Sequence, residues 1–302
     1  MNRLFKVLIF LGFIWLLSYV IAGLFLGNNG ISTSGDTIAV IPIEGMITLD
    51  GGNNLLSTTT SGKDIVKKIN EANEDPKVKG IVLEINSPGG TVLGSKIVAD
   101  KLKEIEKPTV SVITESGTSG AYWIASQTDL IIADELSIVG SIGVLGSYLE
   151  FSGLLNDYNV SYQRLVTGEF KDISSPLKPL TKEEEILIQA RLQMIHKYFV
   201  EDVAKGRGME TQDIADLADG LFYLGMESVD LGLIDEIGNK EYAINRTKQL
   251  AGISDGHISE YTEEKSFFAT RKDYTAFSSF HIGQGIGSVL ISTESSGFKI
   301  RT

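Results

Sequence analysis

Ser119 is the residue around which chemistry can be assembled. It stands in Glu115-Ser116-Gly117-Thr118-Ser119-Gly120-Ala121-Tyr122-Trp123, with small residues on both sides. The run before it, 109–113, is apolar and β-branched and reads as a buried strand. The run after it, 121–125, reads as the apolar start of a helix. A serine at such a strand-to-helix turn can present its hydroxyl at the helix N-terminus, with the Gly120 N–H directed the same way. That suits a nucleophile with an oxyanion donor beside it. It suits equally a plain tight turn, for which Ser and Gly are common residues.

A serine nucleophile needs a group to take its proton. The chain has no cysteine and three histidines: His196, His257 and His281. His196 lies among Met194, Ile195 and Tyr198 in a helical stretch, where a packing or surface role fits, and the other two lie toward the C-terminus. A lysine remains, as in Ser-Lys hydrolases. Such a lysine acts only when neutral, which requires burial or a nearby cation to lower a pKa of about 10.4. Lys171 is the candidate, flanked by Phe170 and Ile173 in a loop containing Gly, Ser and Pro. Against it, most lysines are solvated surface residues, and the adjacent Asp172 would favour the charged form.

Two further sites could assist. Asn86-Ser87-Pro88-Gly89-Gly90 closes an apolar run with two glycines and can turn backbone N–H groups toward an anion, or simply make a turn. Ser141, between Gly140 and Ile142, can hydrogen-bond a lysine and aim its lone pair at Ser119, or serve as a small residue at a strand end.

Periodicity predicts the elements that position these residues. Strands are expected at 37–43, 78–85, 109–113, 129–133, 138–144 and 162–166. Helices are expected at 63–72 and at 91–106, the latter with Leu93, Ile97, Val98 and Leu102 inward. Further helices are expected at 181–205, 211–218 and 225–231. The first of these opens on a Thr181/Glu184 capping box and ends at Gly206-Arg207-Gly208. Residues 50–62 read as a loop and 254–264 as a polar segment. Strand–helix alternation of this kind predicts an α/β fold with a mostly parallel sheet.

Composition narrows the classes. The net charge of −12 disfavours a nucleic-acid partner, because phosphate binding needs a basic surface. The absence of cysteine excludes disulfides, Cys-liganded zinc and a thiol nucleophile. Residues 7–26 carry no charge, and about twenty helical residues span a bilayer core. Arg3 and Lys6 before them predict a cytoplasmic N-terminus and an extracytoplasmic remainder. The competing reading is a signal peptide cleaved after Val20-Ile21-Ala22, although this apolar run exceeds the usual signal core. Three parts are expected: an anchor and linker at 1–35, a catalytic-size domain at 36–250, and a partly apolar tail at 251–302.

Together these motifs resemble the signal peptide peptidase A family of membrane-anchored Ser-Lys serine peptidases, over about 37–250. The resemblance rests on Asn86 to Gly90, Ser119-Gly120-Ala121-Tyr122 and Gly140-Ser141-Ile142-Gly143. It rests also on Lys171-Asp172-Ile173-Ser174-Ser175-Pro176 and Lys205-Gly206-Arg207-Gly208-Met209. It implies that Ser119 is the nucleophile and Lys171, 52 positions on, the general base. It implies too that Ser141 orients the lysine and that Gly90 and Gly120 form the oxyanion hole. The implied fold is Clp protease/crotonase-like, stacked βα units with a mostly parallel sheet preceded by one transmembrane helix. No metal or cofactor is implied. The implied substrates are apolar peptides, namely signal peptides left in the membrane after preprotein processing. The implied assembly is a homo-oligomer in which serine and lysine can come from different subunits. Three other readings stay open: a Ser-Lys protease for another membrane protein, a crotonase-like acyl-CoA enzyme, and a non-catalytic membrane scaffold. The second lacks an evident carboxylate pair beside Gly90 and Gly120.

Overall fold

The computed structural model describes residues 12–13, 17, 35–54 and 57–262. The chain divides into two compact units, Met1–Glu260 and Tyr261–Thr302, and every element named here belongs to the first. In order these are β1 (Thr37–Glu44), β2 (Met46–Thr48), β3 (Gly52–Asn54), β4 (Ser57–Ser61), α1 (Gly62–Glu74) and β5 (Val78–Ser87). Then come α2 (Val92–Leu102), β6 (Thr109–Thr118), α3 (Gly120–Ala125), β7 (Leu130–Ala133), β8 (Ile138–Gly140) and α4 (Ser152–Asp157). The last are α5 (Lys182–Arg207), α6 (Thr211–Leu217), β9 (Phe222–Leu224), α7 (Gly225–Asp230), β10 (Glu236–Ile237), α8 (Lys240–Leu250) and β11 (His257–Glu260).

The main sheet runs β10-β7-β6-β5-β1-β11, with every pair along that path parallel. Its core strands are apolar on both sides because both faces are covered. Ile38, Val40, Val82, Val110, Val112 and Ile132 pack with Ala243 and Ile244 of α8. By alternation, Ile41, Leu83 and Ile113 face the other side. There α1 lies against β1 and β5, and α3 against β5 and β6.

β6 changes neighbour along its length. Val110–Ile113 pairs with β7, and Ser116–Thr118 pairs with β8, which in turn pairs antiparallel with β9. The strand therefore carries residue 119 beyond the covered core and delivers it beside the end of β8.

The structure departs from the expected elements in several places. Residues 50–62 are not a loop: β3 and β4 form a small sheet with β2, and Thr48 and Thr59 hydroxyls meet across it at 3.3 Å. Threonine is polar but β-branched, so a polar reading hid a strand. Residues 162–166 form no strand, and Leu165 there is 94% exposed. The strand expected at 138–144 stops at Gly140. α2 stops at Leu102, its exit tightened by N–H bonds from Glu104 and Ile105 to carbonyls three residues back, and Leu93 faces solvent rather than the core. The polar segment 254–264 contains β11, which pairs with β1 as an exposed edge. Helix α8 was not anticipated.

Among the described residues, no helix is long and apolar enough to cross a membrane. The expected spanning segment, 7–26, lies outside them except for residues 12, 13 and 17.

Leu83, fully buried in the central strand β5, is a direct test of this core. Leu83→Ala should lower unfolding free energy by about 2–5 kcal/mol, read by denaturant titration.

Candidate active site

Ser119 adopts φ 53° and ψ −124°, a backbone region that residues other than glycine rarely occupy. Such a conformation costs about 1–3 kcal/mol and persists only when its surroundings impose it. Here its N–H donates to the Gly140 carbonyl at 2.7 Å, and its carbonyl accepts from the Trp123 N–H at 3.0 Å. All six residues of α3 are buried. The Tyr122 hydroxyl donates to the Leu233 carbonyl at 2.7 Å, and burial pushes its pKa well above the ordinary phenol value, so it stays a neutral donor. The helix start is thus anchored, while the Ser119 side chain makes no capping bond.

The 86–90 turn is built around that serine. The Ser87 hydroxyl donates to the Gly45 carbonyl at 2.6 Å and accepts from the Gly89 N–H at 3.1 Å. Gly89 has φ +94°, and a Cβ there would stand 2.7 Å from the Gly120 nitrogen and 2.9 Å from the Ser119 Cβ. Only glycine fits both the angle and the space. Gly90 bridges Ile47 in parallel: the Ile47 N–H reaches the Gly89 carbonyl, and the Thr91 N–H reaches the Ile47 carbonyl, both at 2.8 Å. The N–H of Gly90 itself therefore points away from Ile47. A Cβ on Gly120 would stand 3.4 Å from the Gly90 nitrogen, so the two amides are neighbours. The Gly120 N–H is in the first turn of α3 and has no intrahelical acceptor. Two backbone donors beside a free serine hydroxyl can stabilise a tetrahedral oxyanion.

A cleft of ≈ 150 Å³ opens from Ser119 and Gly120. Val92 and Ser95 of α2 line one side, and Trp123 lines the α3 side. Gly143, Val144 and Leu145 line a third side, and Ile195 and Phe199 of α5 complete it. Among the described residues, no charged side chain lines the cleft, so it is suited to an apolar group.

Ser141 follows Gly140, whose carbonyl holds the Ser119 N–H, so the two serines stand at adjacent strand ends. Its backbone is also left-handed, at φ 49°. Its hydroxyl donates to the Gly220 carbonyl at 2.9 Å. Lys171 sits in an exposed turn, its N–H donating to the Gly168 carbonyl at 3.2 Å. It does not line the cleft and makes no ion pair among the described residues. The neighbouring Asp172 is engaged by Arg164, at 2.8 and 2.9 Å, and this guanidinium holds its carboxyl below the usual range. A single chain thus brings together Ser119, Gly90, Gly120 and Ser141, and leaves Lys171 outside the cleft.

Sequence reading missed Ser87 as the brace of the turn and α5 as a cleft wall. The α5 signal was available, since Ile195 and Phe199 are an apolar pair four residues apart. Among the described residues, no group of His, Asp and Glu side chains could hold a metal ion.

The profile described as peptidase family S49 matches residues 101–254. A protease-named protein of Methanocaldococcus jannaschii is 32% identical, over 97% of this chain and 97% of its own length. An Enterococcus faecium protein that carries the name signal peptide peptidase SppA is 34% identical, over 82% of this chain and 75% of its own. Protease 4 of Haemophilus influenzae is 33% identical over 70% of this chain, which covers 34% of that protein.

The strained turn gives a stability test that does not rely on activity. Ser119→Gly should be more stable than Ser119→Ala by about 1 kcal/mol, because glycine relieves the positive φ while alanine retains it. Parallel thermal melts of the two variants read the difference.

Proposed function

Because the chain belongs to peptidase family S49 and is a serine peptidase, we propose that Ser119 is its nucleophile and that Lys171 of a neighbouring subunit is its general base. The observation that carries the reading is the uncapped Ser119 hydroxyl beside the paired Gly90 and Gly120 amides. Neutral Lys171 takes the hydroxyl proton as Ser119 Oγ attacks a peptide carbonyl carbon. The carbonyl oxygen becomes an oxyanion held by the two N–H groups. The lysine returns the proton to the leaving amine, and the C–N bond breaks to give an acyl-enzyme. Water then adds to the ester, losing its proton to the lysine, and Ser119 leaves with that proton. Ser141, at the end of the adjacent strand, supports the incoming lysine through its hydroxyl, which already donates to Gly220.

The substrate reading is an apolar peptide, specifically a signal peptide left in the membrane. The uncharged cleft supports it, and so does the name borne by the Enterococcus relative. Residues 7–26 would anchor the enzyme in the cell membrane, with its N-terminus cytoplasmic and its peptidase domain extracytoplasmic. Assembly into a homo-oligomer of Clp protease/crotonase-like protomers accounts for the solvent-facing apolar side chains between Ser141 and α5. Leu145 is 86% exposed, Leu149 73% and Tyr158 75%, and in a monomer that surface would face water.

Mixing separates a shared dyad from one within a chain. Purified protein is expected to cleave a synthetic apolar signal peptide, and Ser119→Ala and Lys171→Ala are each expected to lose at least about 10³-fold in rate. Co-assembled, the two inactive variants should recover part of the activity. No recovery from verified mixed oligomers places both groups in one chain, and cleavage persisting in either variant removes that residue from the mechanism.

A further inference from the structure

The Trp123 wall of the cleft rests on one buried carboxylate. Trp123 is 2% exposed and stacks on Phe199, with ring centroids 4.6 Å apart and planes at 22°. Tyr198 meets its ring at 5.9 Å and a tilt of 56°. A buried indole N–H needs an acceptor, and Asp202 Oδ2 accepts it at 2.7 Å. The same carboxylate takes Lys103 Nζ on both oxygens, at 2.8 and 2.7 Å. The Asp202 carbonyl also accepts from Gln127 Nε2 at 3.1 Å.

Asp202 thereby joins three elements. Lys103 caps the C-terminus of α2, whose other end lines the cleft with Val92 and Ser95. Trp123 belongs to α3, which begins at the oxyanion donor Gly120. Asp202 itself lies on α5, less than one turn after the lining residue Phe199. It does not line the cleft. Its reach into the site is through the indole, whose plane is set by the Phe199 stack and by this hydrogen bond together.

We propose that Asp202 is a positioning residue that determines which side chain the cleft beside Ser119 accepts, by locking Trp123 in place. A cavity near 150 Å³ holds a group about the size of benzene. The locked cleft therefore favours a side chain of leucine to phenyl size over an indole at the residue whose carbonyl is attacked. Without the carboxylate the buried indole N–H has no partner, the ring is held by its aromatic contacts alone, and the size limit is relaxed. Asparagine retains an oxygen that can accept from the indole, while Lys103 keeps Asp100 as a partner at 3.1 Å. The inference rests on the Ser119 peptidase reading.

The test uses the assembled enzyme and two peptides differing only by Leu or Trp at the scissile residue. Labelling of Ser119 by a small fluorophosphonate is followed in parallel. In the wild type, kcat/KM should favour Leu strongly. Asp202→Ala should lower the Leu:Trp ratio at least tenfold with fluorophosphonate labelling retained, and Trp123→Phe, which alters the cleft wall itself, should also lower that ratio at least tenfold. Asp202→Asn should keep the ratio, and the double variant Asp202→Ala/Trp123→Phe should shift it no further than the single ones. A wild-type ratio in labelled Asp202→Ala or in Trp123→Phe overturns the inference alone. Loss of the ratio in Asp202→Asn equal to that in Asp202→Ala overturns the route through the indole. Absence of labelling at Ser119 in the wild type overturns the nucleophile assignment, a failure distinct from both. If Asp202→Ala does not fold, Trp123→Phe and Asp202→Asn decide by the same ratios.

Discussion

The backbone of Ser119 is the constraint on which the rest of the structure depends. A non-glycine residue at φ 53° relaxes unless its neighbours leave it no alternative. Two strands and one turn remove the alternatives. β6 brings the residue out of the sheet, β8 captures its N–H through Gly140, and Gly89 packs against its Cβ. The change of partner along β6, from β7 to β8, is what makes this possible. The placement of the hydroxyl therefore follows from sheet topology rather than from a hydrogen-bonding side chain beside it.

The support behind that turn is polar as well as apolar. Arg207, at the end of α5, donates to Asp235 at 2.7 and 3.0 Å and to the Gly232 carbonyl at 3.0 Å. Asp235 also accepts the Ile131 N–H of β7 at 2.7 Å. Burial weighs against the Arg207 charge, but its hydrogen bonds to the Asp235 carboxylate help to raise the guanidinium pKa above its ordinary value. One helix thus has two environments. Its C-terminal half buries Phe199, Val200, Val203 and Ala204 and is tied to the sheet. Its N-terminal half leaves Ile186 and Met194 in solvent.

How much of this was legible in the sequence depended on whether a local pattern had a single physical cause. The parallel strands were legible because coverage on both faces makes apolar runs without alternation, as in residues 38–43 and 81–85. The α5 start was legible because Thr181 and Glu184 satisfy each other's backbone N–H groups, at 3.2 and 2.9 Å. β4 and β11 were not, because their residues are polar and their pairing is decided by distant strands. The Ser119 turn and the 86–90 turn were each readable as possible sites. Their contact was not, because the fit of Gly89 against Ser119 is a tertiary fact with no trace in spacing. The partnership of Asp202 with Trp123, 79 positions apart, was hidden for the same reason.

The position of Lys171 bears on how such an enzyme could avoid indiscriminate cleavage. A Ser-Lys pair complete within each chain would be active as soon as the chain folded. Here Ser119, the neighbouring Gly90 and Gly120 amides and the apolar cleft are formed by one chain, and Lys171 stands outside the cleft in a segment with little core of its own. That segment exposes Leu145, Leu149, Tyr158 and Leu165, a surface that water disfavours and a second copy can cover. On the proposed reading, one event does both things: covering the apolar side chains brings a lysine to a serine that is already strained into place. Assembly would then be the step that completes the catalytic group, and the lysine would be desolvated only there, where its neutral form is needed. The exposed apolar segment is a liability for an isolated chain, and that liability is the driving force that the reading requires.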